Sequence, residues 1–310
     1  MSPSFFKISK IKRARAKQSG RPAKSSSTSG KMVRQIKREA NRKRRRDQFK
    51  HLQNHNNYII EVQNLSKNFV SSGQVITQVL DNLNLQINRG EFVVLYGKSG
   101  SGKSTLLNIL SGLDRPSWGH VIVANRNLPY LSNRELTKFR REHLSFIFQQ
   151  YHLLNNITGF ENVETGAYLK RNKGSSTKIQ AQEIKQLFAQ FDLLDVIDKF
   201  PTQMSGGQQQ RISIMRALSK DADIIFADEP TGALDQKTSL IVIKCLQQIN
   251  QKFNKTIVMV SHDPTIAQYA SRVITLEYGK IINDTNWQTT AEHHRHPENG
   301  ASSKVSQILE

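Results

Sequence analysis

Residues 91–104 read EFVVLYGKSGSGKS, and this stretch decides the fold. Its first part, Glu91 to Tyr96, is a short apolar run rich in β-branched residues, which is typical of a buried strand. Its second part, Gly97 to Ser104, fits the phosphate-loop pattern G-x-x-x-x-G-K-[ST], and residues 105–110 then have the pattern of a helix. The sequence therefore predicts a strand, a glycine-rich loop and a helix in direct succession.

The order of these elements suits the binding of phosphate groups. Glycines allow the backbone to turn its N–H groups inward, and the following helix adds the positive end of its dipole. We expect phosphate contacts from Gly97, Lys98, Ser99, Gly100, Ser101, Gly102, Lys103, Ser104 and Thr105. Lys103 is expected to reach the β- and γ-phosphates, and the Ser104 hydroxyl to bind Mg²⁺.

Two further apolar runs end in polar residues. Residues 223–229 end in Asp228 and Glu229, and residues 255–262 end in His262. Because ligands bind at the carboxyl ends of parallel strands, we expect these side chains to meet the phosphate loop there. Asp228 would then bind Mg²⁺, Glu229 would polarise the attacking water, and His262 would contact the γ-phosphate. Taken singly, the carboxylates could cap a helix and the histidine could be structural.

A second glycine motif, Ser205-Gly206-Gly207-Gln208, precedes a helix with an apolar stripe at Ile212, Met215 and Leu218. A backbone nest at a helix start is another anion-binding feature. One nucleotide in one domain does not require two such loops. A head-to-tail dimer, in which each loop faces the phosphate loop of the other subunit, accounts for both.

With these motifs in place, residues 58–285 closely resemble the ATP-binding cassette (ABC) family. Gly97 to Ser104 matches its Walker A motif, and Asp228-Glu229 its Walker B motif. The other matches are Gln149 in the Q-loop, which senses Mg²⁺ and the membrane partner, Ser205 to Gln208 in the signature motif, Asp235 in the D-loop, and His262 as the switch histidine. Phe69 falls where the family stacks an aromatic ring on adenine. Met204 replaces the usual leucine, which conserves volume.

The resemblance implies an α/β fold of the P-loop NTPase kind with a RecA-like core. A small N-terminal antiparallel β-subdomain would come from about residues 58–90, and a helical subdomain from about 150–212 would carry the signature loop. ATP and Mg²⁺ are the implied ligands. Catalysis would fall to Glu229, His262 and Lys103, with Ser104, Gln149 and Asp228 around the metal.

Residues 140–154 and 228–235 look like those of the macrolide-exporter and lipoprotein-release subgroup of the family. That likeness implies an ATPase subunit that powers export or extraction of a drug, peptide or lipoprotein. Its partners would be a second copy of the chain and a membrane permease on a separate chain, docked beside the Q-loop. The implied location is the cytoplasmic face of the inner (plasma) membrane.

Composition divides the chain into three parts. Residues 1–57 contain 18 Lys and Arg but only Glu39 and Asp47, whereas the remainder is nearly balanced. We expect this arm to be disordered, and it could bind anionic lipid, bind nucleic acid or be a solvated tail. Residues 286–310 form a polar tail. One cysteine excludes a disulfide framework, and no apolar run long enough to span a bilayer or to serve as a secretory signal occurs.

Two other function classes compete with the transporter hypothesis. One is a soluble ABC ATPase that acts on ribosomes or nucleic acid through the basic arm. Such proteins usually have two cassettes or a long coiled-coil insert, and the interval between Lys103 and Ser205 leaves no room for one. The other is a nucleotide-binding regulator without catalysis, which the presence of Glu229 and His262 disfavours.

Overall fold

The protein is described here by a computed structural model, which covers residues 58–70, 76–169 and 177–286. The predicted basic arm and all but the first residue of the predicted polar tail lie outside these residues. Within them the chain forms two β-sheets. The strands are β1 Tyr58–Val70, β2 Ile76–Asn88, β3 Phe92–Tyr96, β4 Trp118–Val123, β5 Arg126–Asn127, β6 Leu144–Phe148, β7 Ile224–Asp228, β8 Thr256–Ser261, β9 Arg272–Glu277 and β10 Lys280–Asn286.

The larger sheet has six strands in the order β10-β9-β3-β8-β7-β6. Strands β9, β3, β8, β7 and β6 are parallel, and β10 is an antiparallel edge strand. Because β3, β7 and β8 are adjacent and parallel, their carboxyl ends meet at one edge of the sheet. The three strand ends selected from the sequence therefore lie side by side.

The smaller sheet is antiparallel and has the order β2-β1-β4-β5. The sequence predicted this sheet from residues 58–90 alone, whereas strands β4 and β5 of residues 118–127 extend it. We did not predict this addition, because β1 and β4 pair although the phosphate-loop segment separates them along the chain.

Seven α-helices lie in the described ranges. They are α1 Lys103–Leu110, α2 Asn133–His143, α3 Gly159–Ala167, α4 Thr177–Gln190, α5 Gly206–Ser219, α6 Gln236–Phe253 and α7 Pro264–Ala267. The predicted helical subdomain corresponds to α3, α4 and α5, although α5 continues past residue 212 to Ser219. None of the helices in these ranges is long and apolar enough to span a membrane.

Alternating side chains of the central strands belong to two separate hydrophobic cores. Along β3, Phe92 and Val94 belong to a core shared with α5 and α6, whereas Val93 and Leu95 belong to a core shared with α1 and the antiparallel sheet. Successive residues of a strand point to opposite faces, so a continuous apolar run is needed where both faces are covered. This explains why residues 92–95 lack the polar alternation of a half-exposed strand.

Candidate nucleotide site

The phosphate loop connects β3 to α1, as the sequence predicted. Gly97 adopts φ 150°, and a Cβ atom there would lie 2.3 Å from the carbonyl oxygen of Leu276 on β9. The Ser101 carbonyl oxygen accepts a hydrogen bond from the backbone N–H of Gly279, in the β9–β10 turn. The loop is therefore held close to the β9–β10 hairpin, and only glycine fits at its first position.

Lys103 is the first residue of α1 and is only 5% exposed. Its ammonium group donates hydrogen bonds to the carbonyl oxygens of Gly97 at 2.6 Å and Lys98 at 2.8 Å. Burial lowers the pKa of Lys103, and the carboxylates of Glu229 and Asp228 act in the opposite direction. The lysine is therefore a buried cation inside the curl of the loop, where phosphate oxygens would replace backbone carbonyls as its partners.

Ser104 and Asp228 meet at the carboxyl edge of the sheet. The Ser104 hydroxyl donates to the Asp228 carboxylate over 3.1 Å, from the start of α1 to the end of β7. Burial raises the pKa of Asp228; the Ser104 hydrogen bond and the Lys103 charge oppose this shift, and the Glu229 charge adds to it. Two oxygen ligands of the kind that Mg²⁺ prefers are thus adjacent, and a desolvated carboxylate would gain from a cation.

Glu229 and His262 form the second polar pair of this edge. His262 Nδ1 lies 3.3 Å from Glu229 Oε1, and the backbone N–H of Glu229 donates to the Val260 carbonyl oxygen. Glu229 adopts φ 45°, which turns the chain away from β7 directly after Asp228. A cavity of about 320 Å³ is bordered by both side chains and by residues 231–239 and 261–265. The pair can therefore reach solvent and a reacting water.

Gln149 follows β6 and is exposed at the same edge. A Cβ atom placed on Gly232 would lie 2.7 Å from its Nε2 and 3.4 Å from Glu229 Oε2, so the amide and the carboxylate flank Gly232. In the part of the chain that the structure describes, no hydrogen bond joins Gln149 to Ser104 or Asp228. Its predicted role beside Mg²⁺ stays a prediction.

The signature loop occupies the start of α5. Ser205 caps this helix by accepting from the Gln208 backbone N–H, and the Gln208 side chain accepts from the Ser205 backbone N–H. Among the described residues, no hydrogen bond connects Ser205–Gln208 with the phosphate loop of the same chain. The signature loop is therefore the capped start of a helix, and it is not bonded to the phosphate loop of its own chain.

Two other predicted residues lie at element ends. Asp235 caps α6, and hydrogen bonds from the Thr238 side chain and backbone lower its pKa. Phe69 lies near the end of β1; the residue is 45% exposed, and the Lys67 ammonium is 4.7 Å from its ring centroid. Neither residue contacts the phosphate loop through a hydrogen bond within the described ranges.

Sequence reasoning missed two basic residues. Lys67 covers the Phe69 ring, and Arg216 of α5 donates to the carbonyl oxygens of Tyr151 and His152 behind Gln149. Lys67 has a local signal, because residues two apart on a strand share a face. Arg216 has none, since its partners lie more than 60 residues away.

Comparison with known proteins places the chain in a family. The profile described as ABC transporter matches residues 80–232. The chain is 44% identical over 228 residues to the macrolide export ATP-binding/permease protein MacB of Haemophilus ducreyi, a match that covers 73% of this chain and 32% of that protein. It is 42% identical over 241 residues to a putative ABC transporter ATP-binding protein of Mycoplasma pneumoniae, covering 74% and 50%. The chain spans half or less of the length of these relatives.

Solved structures agree with this placement. MJ0796, described as a bacterial ABC transporter cassette of dimeric structure, matches with a TM-score of 0.67 at 39% identity over 74% of this chain and 98% of that one. A second structure shows the same cassette as a dimer in a post-hydrolysis state bound to ADP and Pi, with a TM-score of 0.67 at 38% identity and the same coverage. The chain belongs to the ABC transporter family and is an ATP-binding cassette. The predicted fold class is confirmed, and the ADP- and Pi-bound cassette supports the predicted ATP hydrolysis.

Proposed function

We propose that two copies of this chain bind two ATP molecules between them, with Mg²⁺, and that hydrolysis drives a membrane-embedded permease in export or extraction. The observation that carries the proposal is the convergence of Lys103, Ser104, Asp228, Glu229 and His262 at one edge of the sheet. Hydrolysis needs a cation for the phosphates, oxygen ligands for the metal and a base for water, and this edge provides all three.

The Ser104 hydroxyl and the Asp228 carboxylate are the groups that would hold Mg²⁺. Their 3.1 Å hydrogen bond shows that both oxygens point to the same place, and burial of Asp228 leaves a carboxylate whose charge is poorly solvated. When bound, Mg²⁺ would neutralise charge on the phosphate oxygens.

The chain's own residues would divide the chemistry between them. Lys103 would exchange the carbonyl oxygens of Gly97 and Lys98 for phosphate oxygens. Glu229 would accept the proton of the attacking water, and His262 would hold the Glu229 carboxylate and reach the terminal phosphate. Since the two side chains border a cavity open to solvent, water can enter beside them.

The dimer accounts for the separation of the two anion-binding loops within one chain. Ser205 to Gln208 make no hydrogen bond to the phosphate loop in the described residues, yet they form the N-terminus of α5, and a helix N-terminus favours anions. A partner's nucleotide would supply the missing phosphate, as an isologous interface allows. The dimeric structures of MJ0796 support this arrangement.

The permease and the location rest on the relatives. Proteins named as macrolide export ATP-binding/permease proteins support an exporter and a site of action at the cytoplasmic face of the membrane. A permease on a separate chain stays a prediction. Lipid or nucleic-acid contact by the arm of residues 1–57 also stays a prediction, and no observation favours the ribosome-acting alternative.

Nucleotide binding to the Lys103→Ala variant tests the site. Calorimetric titration with ATP and Mg²⁺ should show a loss of affinity of at least about tenfold, because a charge-assisted contact to phosphate is removed. Lys138→Ala is the matched control, since the Lys138 side chain is exposed and its ammonium pairs with Glu142 on α2 rather than with the phosphate loop. Equal affinity of Lys103→Ala and the parent chain would contradict the proposed phosphate site.

A further inference from the structure

Lys67 is a lysine with three partners and little exposure. It is 9% exposed, and its ammonium lies 2.7 Å from Asp114 Oδ2 and 2.8 Å from the carbonyl oxygen of Arg115. The same ammonium is 4.7 Å from the centroid of the Phe69 ring. These three partners hold the charge in one position over the ring.

The partners of Lys67 belong to the segment that follows the phosphate-loop helix. The Asp114 backbone N–H donates to the Asn108 carbonyl oxygen in the last part of α1. The Arg115 guanidinium donates to the carbonyl oxygens of Pro129 and Leu131, which anchors the segment to the rest of the fold. Lys67 therefore connects the Phe69 ring with the helix that begins in the phosphate loop.

A cation on one face of an aromatic ring changes what the opposite face binds. Ring faces carry negative potential, and this opposes the stacking of a second π-system. A cation over one face is attracted by that potential and draws electron density towards itself. The opposite face then becomes a better surface for an electron-rich purine, and the ring also loses rotational freedom before the base arrives.

We propose that Lys67 is a positioning residue for the nucleotide base, which acts by fixing and polarising the Phe69 ring from the face opposite to adenine. The inference rests on the proposed nucleotide site and adds to it a basic residue that contacts no phosphate. Phe69 is 45% exposed while the Lys67 ammonium lies 4.7 Å from its ring centroid, so part of the residue remains open to a base. Lys67 thereby increases the affinity for a ligand that contains a base and leaves the affinity for phosphate groups alone unchanged.

A double-mutant cycle tests this role. ATP and inorganic tripolyphosphate, which has no base, are titrated into the parent chain, Lys67→Met, Phe69→Ala and the double variant. Lys67→Met removes the charge at similar length and should weaken ATP binding by about threefold to tenfold, while tripolyphosphate binding is unchanged. In the Phe69→Ala background the same substitution should change ATP binding less than about 1.5-fold, because the ring is gone.

Conservative variants separate positioning from a merely structural role. Lys67→Arg keeps a cation over the ring and should retain most of the ATP affinity. Lys67→Gln should behave as Lys67→Met does. If Lys67→Met does not fold, Lys67→Gln is used in its place. The inference is wrong if Lys67→Met weakens ATP and tripolyphosphate equally, or if its effect persists in Phe69→Ala. If ATP binding depends on Lys103 but not on Lys67, this inference fails while the proposed function stands.

Discussion

Arg216 Nη2 lies 3.0 Å from the carbonyl oxygen of Tyr151, and Nη1 donates to the carbonyl oxygen of His152. Tyr151 and His152 adopt φ 38° and 49°, a left-handed conformation that costs roughly 1–2 kcal/mol per residue outside glycine. Arg216 belongs to α5, the helix that begins with the signature loop. The strained turn after Gln149 is thus bound to the signature helix by one guanidinium.

Arg216→Lys should loosen this turn, because an ammonium cannot present two N–H groups in the fixed fork of a guanidinium. We expect hydrogen exchange of the amides of residues 150–154 to become at least about threefold faster and the ATPase rate to fall, with ATP affinity unchanged. Arg211→Lys is the matched control, since Arg211 also lies on α5 but donates to Phe191 and Gly207. Unchanged exchange in Arg216→Lys would show that the turn does not depend on this contact.

Glu229→Gln should preserve ATP binding and reduce turnover by about a hundredfold or more, because the amide cannot accept the proton of water. The substitution keeps shape and leaves the contact with His262 available. Phosphate release under saturating ATP and Mg²⁺ measures the effect. Hydrolysis by Glu229→Gln at the parental rate would show that another group is the base.

Gly207→Ala should distort the signature loop through a single methyl group. The new Cβ would lie 2.3 Å from Thr238 Cγ2, and Thr238 holds the Asp235 carboxylate through two hydrogen bonds. We expect a loss of about 1–3 kcal/mol in the free energy of unfolding and slower ATP turnover.

Thr238→Ser provides the control for Gly207→Ala, since serine keeps the hydroxyl that bonds Asp235 and lacks the methyl group. The double variant should recover most of the parental stability and turnover. If Thr238→Ser does not improve Gly207→Ala, then the clash with Thr238 is not the reason for the defect.

Lys220 predicts a specific dependence of stability on pH. Its ammonium donates to the carbonyl oxygens of Arg140 and Leu144, and burial lowers its pKa from 10.5 to about 8. Between these two values the unfolded chain keeps the proton and the native chain releases it, so stability rises with pH there. The free energy of unfolding can be measured with urea for the parent chain and Lys220→Met at pH 7.5 and 9.5. From the lower to the higher pH, the free energy of unfolding of the parent should increase relative to that of the variant. If the difference in free energy of unfolding between the two proteins is the same at both pH values, the lowered pKa of Lys220 is contradicted.

The sequence was sufficient to predict those parts of the site that depend on local spacing and on the order of parallel strands. Lys103 and Ser104 follow from the loop pattern, and Asp228 meets them because neighbouring parallel strands end at one edge. It was insufficient where a contact joins distant segments. The addition of β4 to the antiparallel sheet and the bonds of Arg216 to Tyr151 depend on tertiary packing, which leaves no periodic signal in the chain.

Sedimentation velocity of the Glu229→Gln variant tests most directly whether two chains enclose the nucleotides. With saturating ATP and Mg²⁺, the 35.3 kDa chain should sediment with twice that mass, and with ADP it should sediment as a monomer. Adding Ser205→Arg, which places a large side chain in the exposed signature loop, should prevent the dimer without loss of ATP binding. A Glu229→Gln chain that binds ATP and remains a monomer would contradict the shared site.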